Sequence, residues 1–187
     1  MDLLSMEQSP GTYRADFVLY GSLVLLLVSL SLWNAAPHPA GWLAALLAGF
    51  ALWSLIEYLV HRFVLHGIEP FKRLHAVHHA RPRALYGLPT LFSLPLFAGL
   101  VFLPLLVLLG LWPSLPLMAG VLAGYLFYGL AHHLAHQGLS KKWPGPAWQL
   151  RRQRWHAHHH GGQAACYGVS TGVWDQLLGT GWRKGVR

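Results

Sequence analysis

Apolar and polar positions fall in long blocks along this chain, without the alternation of a sheet or the one-faced stripe of a surface helix. Unbroken apolar runs cover residues 17–33, 41–60, 91–111 and 115–131, each near the ~20 residues that a helix needs to cross a hydrocarbon core. Four membrane-spanning helices are the simplest architecture that this pattern predicts. Pro113 and Pro116 predict a tight turn between the last two spans, and Pro95 and Pro104 predict kinks in the third. The blocks 62–90 and 137–187 are too long and too rich in Trp and His to be plain connectors. They are expected to fold into a helical cap on one side of the bundle. The expected fold class is therefore an all-α integral membrane protein, with residues 1–187 forming a single domain behind a short amino-terminal stretch, residues 1–16.

Composition supports the block pattern. Of the 187 residues, 54% are hydrophobic and 11% charged, against about 25% charged in an ordinary soluble domain, too few to cover a water-facing surface. A disordered chain, a coiled coil and a disulfide scaffold are excluded. The lone Cys166 cannot form an internal bridge or a zinc site built on several thiolates. Asp2, Glu7 and Asp16 precede the first span with Arg14 as the only base, which is not the start of a secretory signal.

The formal charge of +8 is distributed unevenly. Arg62, Lys72, Arg73, Arg81 and Arg83 follow the second span, and Lys141, Lys142, Arg151, Arg152, Arg154, Arg183, Lys184 and Arg187 follow the fourth. The links 34–40 and 112–114 carry no base. That asymmetry predicts that the basic side, with both termini, faces the cytoplasm, in a bacterial inner membrane or the endoplasmic reticulum. It also offers a docking face to an acidic protein, while no nucleic-acid partner is expected. Trp33, Trp42, Trp112 and Trp143 are expected at membrane interfaces.

Twelve of the thirteen histidines form four clusters, each at or beyond an expected cytoplasmic helix end. They are His61 and His66 (HX4H); His75, His78 and His79 (HX2HH); His132, His133 and His136 (containing HX3H); and His156, His158, His159 and His160 (containing HX2HH). His38 stands apart and reads as an exposed loop residue. Spacings of three and four bring side chains to one helix face, because successive residues advance by about 100°. His133 and His158 break that register and are expected to face elsewhere. His61 and His66 are about 140° apart on an ideal helix, so an irregular turn or a helix end is needed between them, and Gly67 and Pro70 could supply one. Ten histidines remain as candidate ligands: His61, His66, His75, His78, His79, His132, His136, His156, His159 and His160. Ten nitrogens exceed one ion's capacity but suit two six-coordinate ions with five each, leaving one position on each for water or dioxygen. An all-imidazole shell suits iron, zinc, copper or nickel and argues against magnesium and calcium.

Glu57, one turn before His61, and Asp175 are candidate acceptors for a ligand imidazole N–H, a partner that metal-bound histidines generally have. The stretch 168–172 matches the G-x-S-x-G nucleophile elbow, but that motif needs a strand-turn-helix in an α/β sheet, which a chain this short and apolar does not hold. There is no H-E-x-x-H and no Gly-rich phosphate loop.

The order HX4H, HX2HH, HX3H, HX2HH resembles the sterol desaturase and fatty acid hydroxylase superfamily. The run Glu57-Tyr58-Leu59-Val60-His61-Arg62-Phe63-Val64-Leu65-His66 is similar to the opening motif of its fatty acid 2-hydroxylase branch. So are Tyr128 before His132, Gly138 after His136, and the closing run from Tyr167 to Asp175. The resemblance covers residues 51–179. It implies a membrane-embedded, dioxygen-dependent monooxygenase with a dinuclear metal centre, iron when active and zinc possible as isolated, held by the ten histidines above. It further implies an acyl-lipid substrate, with the 2-position favoured. Sterol or carotenoid hydroxylation or desaturation is the rival outcome within the superfamily. Gly129 replaces an acidic residue often found after the tyrosine, and His133 and His158 are additions. The cytochrome b5 domain that precedes many eukaryotic members has no counterpart in residues 1–187, so electrons are expected from a separate cytochrome b5-like or ferredoxin-like donor. From other classes, a metal transporter would want midplane ligands including carboxylates, a b-type cytochrome would want histidines facing across helices deep in the bilayer, and a non-catalytic metal-binding membrane protein would turn nothing over.

Overall fold

The computed structural model describes residues 6–33, 38–138, 145–162 and 164–182. Lys141, Lys142, Arg183, Lys184 and Arg187 of the charge asymmetry, together with Asp2, Trp143 and most of the link 34–40, lie outside the described residues. Among those residues every regular element is helical: α1 (Pro10–Leu32), α2 (Pro39–Leu59), α3 (Phe71–Ala80), α4 (Thr90–Leu96), α5 (Leu103–Leu109), α6 (Leu111–Gln137), α7 (Ala147–His160) and α8 (Val173–Leu177). Two π-helical stretches interrupt the series. Val60–Leu65 continues α2, and Phe97–Phe102 joins α4 to α5.

Among the described residues, four helical stretches are long and apolar enough to cross a membrane: Pro10–Leu32, Pro39–Leu65, Thr90–Leu109 and Leu111–Gln137. Each except the third is longer than its apolar run. Only 11% of the apolar window is buried in the first and third, against 56% in the fourth, so most of that apolar surface is left for lipid and α6 is the most enclosed of the four.

The chain divides into two compact units, residues 1–53 with 85–126 and residues 54–84 with 127–187. In the first, α1 starts where Ser9 caps it, its Oγ accepting from the Thr12 N–H at 3.2 Å, with Pro10 at the first helical position. Tyr20 and Ser93 share a buried hydroxyl hydrogen bond of 2.6 Å. Trp53, Phe97, Tyr20 and Tyr125 pack edge to face or tilted at 5.0–5.8 Å. Helices α2 and α6 approach backbone to backbone. A Cβ on Gly49 would stand 2.0 Å from the Leu117 carbonyl oxygen, and one on Gly120 would stand 2.0 Å from that of Leu46, so only glycine fits this crossing.

The prolines act differently from the sequence-based expectation. The turn between the third and fourth spans is made by Gly110 at φ +77°, and both Pro113 and Pro116 lie inside α6. Pro113 is the helix's third residue, where a backbone N–H would have had no intrahelical partner. The Ser114 hydroxyl bonds the Gly110 carbonyl at 2.6 Å. In the third span the irregularity expected from Pro95 and Pro104 is the π-helical stretch lying between them.

The second unit holds the end of α2, its π-helical continuation, α3, the last eleven residues of α6, α7 and α8. All ten candidate ligands are in it.

Candidate metal centre

Local geometry decides where each imidazole points. The π-helical stretch carries hydrogen bonds from residue i to i+5 and so returns residues five apart to one face. That resolves the HX4H spacing as an irregular turn: His61 lies in the π-helical stretch and His66 caps its end after Leu65, so the two come to the same place. In α3, His75 and His79 are one α-helical turn apart and His78 sits between them, rotated toward the other side. The same relation holds in α7 for His156 and His160, with His159 between. His132 and His136 are the one-turn pair at the end of α6.

Two groups of nitrogens result. His61, His66, His75, His79 and His159 each place one ring nitrogen within 4.8 Å of the others, and so do His78, His132, His136 and His156. His160 adjoins the second group, its Nε2 being 3.1 Å from that of His156. The two HX2HH motifs therefore exchange their middle residues: His78 leaves His75 and His79 for the second group, and His159 leaves His156 and His160 for the first. Between the groups the His79 and His160 rings stack at 4.1 Å and 14°.

The Nε2 contacts test whether these groups suit a cation. His78, His132 and His136 form a triangle with sides of 3.0, 3.1 and 3.2 Å. A hydrogen bond between two Nε2 atoms needs a proton on one and a lone pair on the other. Among three mutually touching nitrogens two must be alike, so hydrogen bonding cannot satisfy all three sides. A shared cation can. In the first group Nε2 separations are 3.0 Å for His61 and His75, 3.1 Å for His75 and His79, and 2.9 Å for His66 and His159. In the second, the Nε2 atoms of His136 and His156 are 2.8 Å apart. Two nitrogens about 2.1 Å from one ion lie about 3.0 Å apart at right angles and about 3.4 Å apart at tetrahedral angles. The observed spacings are those of right-angled ligands, as in five- or six-coordinate sites.

Burial keeps these rings neutral, with lone pairs available. Outside the spans it lowers the pKa to about 4 at His66 and His79, to about 3 at His78 and to about 2 at His160. At His75 and His156 the pKa is pushed well below the usual value, and the neighbouring imidazoles press the same way.

The first group is oriented through its other ring nitrogens. His61 donates from Nδ1 to the Tyr167 carbonyl at 2.5 Å, and His159 donates from Nδ1 to the Ala165 carbonyl at 2.9 Å. A carbonyl can only accept, so both protons sit on Nδ1 and both Nε2 atoms carry lone pairs. These carbonyls belong to the loop before α8, which the two candidate carboxylates hold. Asp175 accepts from the Tyr167 and Gly168 N–H groups at 2.8 Å each and from the Thr180 hydroxyl at 2.8 Å. Glu57 accepts from the Val169 N–H at 2.6 Å, the Ser170 N–H at 3.0 Å and the Ser170 hydroxyl. Neither carboxylate takes an imidazole N–H among the described residues, which corrects the expectation for Glu57 and Asp175. They act one step further out, fixing the backbone whose carbonyls receive those protons. Sequence spacing pointed to the carboxylates but not to the Ala165 and Tyr167 carbonyls, because backbone acceptors leave no residue-type signal.

The remaining histidines lie outside both groups. His38 is exposed, His158 stacks on Trp182 at 4.5 Å, and His133 is on α6 but in neither group. Tyr128, one turn before His132, lies parallel to its ring at 5.7 Å. Ser170 of the G-x-S-x-G match is engaged with Glu57.

Comparison with known proteins identifies the family. A dihydroceramide fatty acyl 2-hydroxylase of Arabidopsis thaliana is 30% identical over 143 residues, covering 71% of this chain and 58% of the relative. The human fatty acid 2-hydroxylase is 31% identical over 144 residues, 71% of this chain and 38% of the relative. The chain thus spans between about two fifths and three fifths of the length of these relatives. The solved structure of full-length scs7p, in which only the hydroxylase domain is visible, superimposes with a TM-score of 0.83 at 23% identity, over 97% of this chain and 69% of that one. The profile of the fatty acid hydroxylase family matches residues 46–180, which include all ten histidines. This chain belongs to the fatty acid hydroxylase family.

Proposed function

We propose that this chain is a membrane-bound monooxygenase that hydroxylates the acyl chain of a fatty acid or acyl lipid, with position 2 favoured. The observation that carries the reading is the pair of convergent imidazole groups at the ends of apolar spans, in a chain whose relatives are 2-hydroxylases of fatty acyl groups. His61, His66, His75, His79 and His159 would hold one ion, and His78, His132, His136, His156 and His160 the other. Iron is the ion expected in the active protein, and zinc is compatible with the same donors in isolated material. The ions, once bound, supply what no side-chain acid or base can: with dioxygen and two external electrons they make an unactivated C–H bond breakable.

The protein's own share is positional. Neutral imidazoles offer lone pairs at physiological pH, and the loop carbonyls of Ala165 and Tyr167 keep two of them turned inward. The spans leave apolar surface on which an acyl chain can approach from the bilayer. The reaction consumes the lipid, dioxygen, two electrons and two protons, and yields the hydroxylated lipid and water. The electrons come from a separate donor, cytochrome b5-like or ferredoxin-like. Residues 1–187 act as one hydroxylase domain, with the metal centre, the basic side and both termini in the cytoplasm. Iron-loaded protein in lipid nanodiscs, given a reductant and ¹⁸O₂, should place one labelled oxygen on an acyl chain, located by fragmentation mass spectrometry. Acyl lipids of every head-group class left unchanged would overturn the proposal.

A further inference from the structure

The closing segment is tied to the second span at membrane depth. The Trp174 indole N–H donates to Ser54 Oγ at 3.0 Å, the Val169 and Ser170 N–H groups reach Glu57, and Tyr58 and Thr180 share a hydroxyl hydrogen bond of 2.9 Å. Residues 169–180 therefore lie along residues 54–58 of the span. Pro39–Leu65 has 27 residues, about 40 Å of helix against a hydrocarbon core of about 30 Å. If the core starts at Pro39, its other boundary falls near residue 58. If the excess is divided between the two ends, the boundary moves toward residue 62. In either placement Ser54 is at least one turn inside the hydrocarbon.

Among the described residues, the side of α8 turned away from the span is largely open. Asp175 is buried, whereas Val173 is 50% exposed, Leu177 70% and Leu178 49%. Val173 and Leu177 are one helical turn apart and so share a face. On the span itself, Leu52 and Leu59, on either side of residues 54–58, are 37 and 39% exposed. A cap standing in water would be expected to carry polar side chains at such positions. Here the exposed apolar surface of the span continues onto the segment packed beside it, at the same depth.

We infer that α8 and its flanking turn are embedded in one leaflet, with Val173, Leu177 and Leu178 facing lipid acyl chains. The inference rests on the reading that Pro39–Leu65 crosses a bilayer. The segment is then a membrane-inserted strut, in contact with lipid at Leu177 and, ten residues earlier, holding His61 through the Tyr167 carbonyl.

Single nitroxide labels test it. Leu177→Cys and Leu178→Cys, with Leu52→Cys as the span control, inside the hydrocarbon in either placement, and Arg151→Cys, exposed on α7, as the aqueous control, are made in a Cys166→Ser background. Each is also made in the native background, where Cys166 is buried. Labelled protein in phosphatidylcholine nanodiscs is relaxed with oxygen or with a water-soluble paramagnetic chelate. The expected result is that labels at 177 and 178 follow the Leu52 label, relaxed more by oxygen than by the chelate, and that the Arg151 label does the reverse. Chelate-dominated relaxation at 177 and 178 with an oxygen-dominated Leu52 label would overturn the inference alone. Chelate-dominated relaxation at Leu52 as well would overturn the span reading and the inference with it.

Discussion

The two histidine groups have similar nitrogen spacing but are built differently. The second draws on regular α-helix: His132 with His136, and His156 with His160, are one-turn pairs, and His78 comes from α3. Its geometry follows from helical pitch, and the Nδ1 atoms of His156 and His160 have no hydrogen-bond partner among the described residues. The first group takes His61 and His66 from a π-helical stretch and fixes His61 and His159 through carbonyls of an irregular loop. That loop is in turn held by Asp175 and Glu57. A helix can place donors by itself, whereas a loop needs buried carboxylates to hold it.

The largest expected effect comes from removing a ligand. His132→Ala breaks the nitrogen triangle and should lower bound metal from two ions per chain to one, with activity falling by more than about 100-fold, beyond the usual cost of losing an outer partner. Elemental analysis against protein concentration checks the count. His61→Ala should do the same to the other ion, so that the double variant binds none.

Asp175→Asn sharpens the comparison. It removes one of the two acceptors for the Tyr167 and Gly168 N–H groups while keeping the side chain's shape. Affinity for the first-group ion should fall by about 10–100-fold, with little change at the second. Chelator competition would show one weakened class of ion, and equal weakening of both would show that the loop does not serve one group in particular.

A smaller effect concerns pH. His66 and His79 are lowered from 6.5 to about 4, so between these values the unfolded chain binds more protons than the folded one. Metal-free protein should therefore lose stability as the pH is brought from about 6.5 down to about 4, and change little through this linkage above 7. Thermal unfolding in detergent across that range checks it, and a Tm that rises on acidification would contradict the neutral imidazoles.

The smallest effect reports on the loop itself. Cys166 is buried and its thiol is pushed up to about 11, mainly by burial. Iodoacetamide at pH 8 should label it only slowly in the native protein, and faster in Asp175→Asn.

Much of this arrangement was legible in the residues. Four long apolar runs gave the four candidate spans, and clustering, with three- and four-residue spacings for eight of them and the HX4H pair besides, singled out ten histidines while setting aside the isolated His38 and the off-register His133 and His158. Sharing between the groups was not legible. Residues at i, i+3 and i+4 lie on one helix face, and only the approach of the α3 and α7 histidines, seen in the stacked His79 and His160 rings, shows that His78 and His159 go to opposite groups. The π-helical answer to the HX4H spacing was hidden for a related reason, since no residue in Val60–Leu65 signals a change from i+4 to i+5 hydrogen bonding. Pro113 misplaced a turn because proline in the first turn of a helix is tolerated, and Pro116 because α6 accommodates it inside the helix. For Glu57 and Asp175, position suggested the neighbourhood of the metal site, but their partners proved to be backbone groups more than a hundred residues away for Glu57 and close by for Asp175.

Iron K-edge absorption on iron-loaded protein, read together with iron per chain, tests the central claim most directly. The account predicts two ions per chain, each in a shell of five or six nitrogen or oxygen donors at about 2.1 Å dominated by imidazole scattering. A single ion per chain, or a four-coordinate shell, would contradict it.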